Sequence, residues 1–121
     1  MTIAHQALEN SNIGAEVTGL NPDHISDDDK AELHRFFLKY GLLVLRGLDI
    51  DQPTHIELTR ALGETELHPV EKLRMEEYPE IILLSSGGDD DQTIGSGTDD
   101  IVGKIPWHSD LSYTTTLSRG A

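Results

Sequence analysis

Apolar positions along this chain fall in short clusters separated by polar and glycine-rich stretches. Residues 1–12 are polar and read as a loose lead-in. From Gly14 to Leu20 (Gly-Ala-Glu-Val-Thr-Gly-Leu) apolar and polar residues alternate weakly, which predicts a short strand, and Asn21-Pro22 marks a turn. Ser26 then suits a helix N-cap, with Asp27, Asp28 and Asp29 in the first turn, where acids favour the positive end of the helix dipole. Leu33, Phe36, Phe37 and Tyr40 recur at three-to-four spacing as an apolar stripe, and Gly41 stands where a helix end wants a left-handed residue. Residues 42–46 (Leu-Leu-Val-Leu-Arg) predict a buried strand closed by Gly47. A second helix is expected from Pro53, suited to the first helical position, through Ile56, Leu58, Ala61 and Leu62 to Gly63. Ile81-Ile82-Leu83-Leu84 predicts another buried strand. Ser85 to Gly103 is long and polar, and loops of that length serve as functional lids or stay disordered. Lys104 to Tyr113 resumes an extended pattern. The order β-α-β-α-β-loop-β defines an α+β chain whose sheet is only beginning, with no repeat and no obvious internal boundary.

Composition narrows the functions. The 121 residues suit one domain with a modest core; the hydrophobic fraction of 36% is on the low side, but apolar runs such as Leu42-Leu43-Val44-Leu45 argue against disorder throughout. With 22 acidic and 9 basic residues the formal net charge is −13, which repels nucleic acid and anionic membranes and sets both aside as partners. A small anionic substrate is compatible with a locally basic pocket. The chain has no cysteine, so disulfides, Cys-ligated zinc and iron–sulfur clusters are excluded. The N-terminus lacks the basic region and apolar core of a signal peptide, and no apolar run reaches membrane-spanning length. A cytoplasmic protein is the expectation.

Chemistry concentrates at Trp107-His108-Ser109-Asp110. In an extended strand, side chains two apart point to one face, so an imidazole of His108 and a carboxylate of Asp110 can converge on one ion. That is two-thirds of the 2-His-1-carboxylate facial triad of non-haem Fe(II) sites. Other candidates are weaker. His5, His24 and His55 have no partner at metal spacing, and His34 falls on the polar side of the first helix. Asp89-Asp90-Asp91 and Asp99-Asp100 lack the spacing of a calcium loop. Gly87-Gly88 and Gly95-Ser96-Gly97 lack the Gly-Lys-Ser/Thr of a phosphate loop.

Several segments, in order, resemble the N-terminal part of the taurine/2,4-dichlorophenoxyacetate dioxygenase family of Fe(II)- and 2-oxoglutarate-dependent oxygenases. Gly14 to Leu20 resembles the family's opening strand, and Tyr40 to Gly47 (Tyr-Gly-Leu-Leu-Val-Leu-Arg-Gly) resembles its G-x-L-x-F-R-G strand. Arg60 to Glu64 and Leu67-His68-Pro69-Val70 resemble its F-G-x-x…H-P stretch. Trp107 to Tyr113 resembles its W-H-[ST]-D-x-[ST]-[FY] metal motif, the most specific of the set. The sequence departs from the taurine enzymes in having Lys104 where they carry an asparagine. Its interval from His68 to His108 is also longer, as in the herbicide-type branch.

The resemblance implies the N-terminal portion, residues 13–121, of a single dioxygenase domain built on a double-stranded β-helix (jelly-roll, cupin-like) fold, truncated before the roll closes. It implies that His108 and Asp110 ligate Fe(2+), and that His68 and Leu111 line the substrate pocket. Lys104 is a further candidate for pairing with an anionic group, and Trp107 is expected to pack beside the metal strand. The implied reaction uses O2 and 2-oxoglutarate to hydroxylate a small sulfonate or carboxylate, releasing succinate and CO2, in an enzyme that in this family is often a homo-oligomer. The second histidine ligand and the 2-oxoglutarate-binding arginine are expected downstream of Ala121, so the 121 residues alone are expected to be inactive. The alternative is a non-catalytic short protein or binding module derived from the family's N-terminal half.

Overall fold

The computed structural model of the chain describes residues 3–83 and 107–121, which fall into two compact units, 1–82 and 83–121. The first unit contains three strands and two α-helices in the order β1 (Ala4–Ala7), β2 (Ala15–Thr18), α1 (Asp27–Tyr40), β3 (Leu43–Leu45), α2 (Gln52–Leu62). The sheet runs β1-β2-β3. β1 is antiparallel to β2, with Ala4 opposite Thr18, and β2 is parallel to β3, with Ala15 opposite Leu43. A parallel pair needs a long crossover, and α1 supplies it.

α1 is delimited by its own sequence. The Ser26 hydroxyl accepts from the Asp29 N–H at 3.1 Å, and the Asp29 carboxylate accepts from the Ser26 N–H at 3.1 Å and the Ser26 hydroxyl at 2.7 Å. This reciprocal capping box satisfies two of the helix's unpaired N-terminal groups. The same two donors on Ser26, the hydroxyl first, hold the Asp29 carboxyl below the usual carboxylate range. At the other end Gly41 adopts φ 71° and its N–H donates to the Phe37 carbonyl at 2.8 Å, a left-handed cap that costs glycine nothing.

The apolar stripe of α1 turns inward at Leu33 and Phe36, both buried, while Phe37 and Tyr40 are half-buried. Leu33 and Phe36 join Ile3, Val17, Leu20, Ile25 and Leu58 in the core, and Tyr40 packs against it. β2 shows the expected alternation: Ala15 and Val17 are buried, and Glu16 and Thr18 face outward. α2 begins one residue before Pro53, with Asp51 as its N-cap through a 2.9 Å bond from the Thr54 N–H. Hydrogen bonding from Thr54, its side chain first and then its N–H, holds the Asp51 carboxyl below the usual carboxylate range. Lys30 of α1 and Glu57 of α2 form an ion pair at 2.8 Å, which raises the Lys30 pKa.

Three expectations from the pattern are corrected. The lead-in over 1–12 contains β1, a strand exposed at every position; it is held by main-chain pairing with β2 and by the His5 ring against Phe36, and neither shows in the hydropathy pattern. The strand at 42–46 is half-buried at its centre and exposed at Leu42, because β3 is an edge of the sheet and is covered on one side only. No strand forms at Ile81–Leu83; Ile82 makes a single antiparallel bridge with Arg74, and Leu83 is exposed. Among the described residues no helix is long and apolar enough to cross a membrane. The jelly roll expected from the resemblance is not seen: the described residues provide the small mixed sheet and its helices.

Ser26→Ala is expected to destabilise the fold by about 1 kcal/mol at neutral pH, measured by denaturant unfolding. Because the folded-state pKa of Asp29 is depressed, its contribution is present above the unfolded value of about 3.9 and is lost as pH falls through the lower folded value. The difference between wild type and Ser26→Ala should therefore shrink in that acid window. Gly14 has φ 94°, and an added Cβ would meet Leu8 Cδ1 at 2.6 Å. Leu8 can rotate away but the backbone cannot, so Gly14→Ala is expected to cost about 1–2 kcal/mol in the same assay.

Candidate functional site

The metal motif does not lie on a strand. Among the described residues of the second unit there is no helix or strand, and Asp110 to Tyr113 form a turn. Leu111 sits at φ 50°, a left-handed conformation that costs a residue with a Cβ roughly 1–2 kcal/mol. Thr114 holds it there: its N–H and its hydroxyl both reach the Leu111 carbonyl, at 3.0 and 2.8 Å. The extended pattern expected over Lys104–Tyr113 is thus replaced, among the described residues, by irregular chain at 107–109 and a turn at 110–113 closed from its C-terminal side. Thr114 carried no signal in the sequence, because its part lies in a hydrogen bond and not in a motif.

The turn still brings the two candidate ligands together. His108 Nε2 and Asp110 Oδ1 stand 2.8 Å apart, with both side chains 50% exposed. Donors about 2.1 Å from one ion and at right angles to each other lie about 3 Å apart. At 2.8 Å the two side chains form a direct hydrogen-bonded pair, and that nitrogen–oxygen separation is also compatible with one edge of an octahedral site. The donor chemistry, imidazole plus carboxylate, suits Fe(II) and similar divalent ions. The described residues contain no group of three ligating side chains, so the pair stands as two candidate donors. Trp107, expected to pack beside the motif, is fully exposed, because without a strand there is no sheet face for it to cover. Leu111 is half-buried next to the pair. Lys104 and the Ser85–Gly103 segment lie outside the described residues, as do Asp89–Asp91 and Asp99–Asp100.

His68 belongs to the first unit. Pro69 restricts it to extended backbone, and the chain then turns so that the Val70 N–H reaches the His68 ring at Nδ1, 3.1 Å away. Arg74 Nε donates to the His68 carbonyl at 2.7 Å. A short 3-10 turn, Glu71–Leu73, separates the two and brings Arg74 back. The pattern singled out His68 but not Arg74, since nothing at a six-residue separation marks an arginine as the partner of a carbonyl.

Residues 4–121 match the model of the family described as taurine catabolism dioxygenase TauD, TfdA family. A curated protein similar to this chain is the (S)-phenoxypropionate/alpha-ketoglutarate-dioxygenase of Delftia acidovorans, 26% identical over 113 residues. That match covers 90% of this chain and 37% of the relative, so the chain spans well under half the length of the relative. No solved structure gives a significant match.

Proposed function

The chain belongs to the taurine catabolism dioxygenase TauD, TfdA family, and from that premise we propose that it forms part of an Fe(II)- and 2-oxoglutarate-dependent dioxygenase. The proposed reaction hydroxylates a small anionic organic substrate, a sulfonate or a carboxylate, with release of succinate and CO2. One observation carries the reading: His108 Nε2 and Asp110 Oδ1 converge to 2.8 Å within a chain that matches the family over residues 4–121. The name of the Delftia relative, an (S)-phenoxypropionate/alpha-ketoglutarate-dioxygenase, supports a co-substrate of that kind and a carboxylate among the substrates.

On this reading His108 and Asp110 hold the iron, and the iron when bound supplies the oxygen chemistry. The carboxylate of Asp110 offsets part of the metal's charge, and the neutral imidazole of His108 donates a nitrogen lone pair. The half exposure of both side chains leaves room for further ligands. By resemblance to the family, His68 and Leu111 are assigned to substrate binding, and Lys104 is proposed as a cation for an anionic group. The second histidine ligand and the arginine for the 2-oxoglutarate carboxylate are assigned to sequence other than these residues. The 37% share of the relative's length supports that assignment.

The test is oxygen uptake coupled to succinate formation by the intact gene product, screened with alkylsulfonates and aryloxy carboxylates. Turnover is expected to need both Fe(II) and 2-oxoglutarate, to stop with a chelator, and to fall to background in His108→Ala and Asp110→Ala. Turnover that survives either substitution, or that ignores 2-oxoglutarate, would refute the reading.

A further inference from the structure

We propose that Arg74 is a positioning residue for His68, fixing the ring through the Pro69–Val70 turn so that Nε2–H is the donor offered to the anionic group of the substrate. The substrate part of this inference rests on the function proposed above; the positioning part rests on geometry alone. A main-chain N–H can only donate, so the contact from Val70 at 3.1 Å requires an unprotonated Nδ1 on His68. In a neutral imidazole the proton then sits on Nε2. Among the described residues none accepts a hydrogen bond from that Nε2–H, so the half-buried ring keeps one directed donor unspent.

The ring is held only as well as the turn beneath it. Pro69 fixes one torsion and biases His68 toward extended backbone. The His68 carbonyl is anchored by Arg74 Nε at 2.7 Å, a charge-assisted bond of the stronger kind. Arg74 is itself tied down. Its N–H donates to the Glu71 carbonyl at 3.0 Å, its backbone bridges Ile82, and its side chain is only 22% exposed. The neighbouring Met75 N–H donates to the Ile81 carbonyl at 2.8 Å. Arg74 thus links the His68 turn to the end of the first unit. Glu71 lies 3.9 Å from the guanidinium and is largely exposed, so it leaves Nε free for the carbonyl.

The experiment is nitrogen-15 NMR on the 121-residue chain. A coupling across the hydrogen bond between the Val70 amide nitrogen and His68 Nδ1 is expected in the wild type. It should be lost in Arg74→Ala, be partly restored in Arg74→Lys, and be absent in Val70→Pro, which removes the donor and leaves Arg74 in place. Amide protection at Leu33 and Phe36 reports that each variant remains folded. Methanesulfonate is the anion probe. Arg74→Ala and Val70→Pro are each expected to weaken its effect on the His68 Nε2 resonance about tenfold, the scale of one lost charge-assisted contact, and the double variant should lose no more than either alone. A coupling absent from the wild type, or unchanged in a folded Arg74→Ala, overturns the positioning assignment. A coupling that depends on Arg74 while methanesulfonate leaves Nε2 unmoved supports the positioning and overturns the substrate contact of His68.

Discussion

Two parallel strands cannot be joined by a tight turn, and the first unit is organised by that constraint. β2 and β3 pair in parallel, so the chain between them must leave the sheet, cross its face and return. α1 makes that crossing, and both of its ends are set locally. The Ser26–Asp29 box starts it and the left-handed Gly41 stops it. With the ends fixed, Leu33 and Phe36 come to lie against Val17 and Leu58. Immediately after Gly41 the chain re-enters the sheet, and the Gly14 and Ala15 N–H groups bond the Tyr40 and Leu42 carbonyls at 2.9 Å each. Gly14, at φ 94° with no side chain to clear, is where that return is tightest.

The candidate metal pair depends on a different device. Alternation along a strand would place His108 and Asp110 on one face, yet the two meet where irregular chain enters a turn. Leu111 adopts a left-handed conformation and Thr114 closes the loop behind it. Both routes bring an imidazole nitrogen and a carboxylate oxygen to within ligand-edge distance. What the pair requires is a separation of two residues and side chains aimed at one point, and the secondary structure around it can differ.

Features set by neighbours in sequence were legible; features set by distant partners were not. The cap at Ser26, the acidic first turn, the stop at Gly41 and the buried positions of both helices all follow from residues within a turn of one another. β1 was illegible because Ala4–Ala7 stays exposed: its main-chain pairing with β2 and the packing of the His5 ring on Phe36, centroids 4.0 Å apart, leave no hydropathy signature. Ile81–Leu83 misled in the opposite sense, being apolar enough for a strand yet meeting only one bridging residue. At the site, His108 and Asp110 stood out by residue type and spacing. Arg74 and Thr114 act by hydrogen bonds to carbonyls, which any residue could offer, so no residue pattern announces them.

The central claim is that His108 and Asp110 are two ligands of one metal ion, and substoichiometric Mn(II) added to the chain during NMR tests it most directly, because paramagnetic broadening reports even weak binding. The account predicts that resonances of His108 and Asp110 broaden first, and that Asp110→Ala abolishes the effect at His108. Broadening that centres instead on another acidic cluster, such as the first turn of α1, and is indifferent to Asp110→Ala would contradict it.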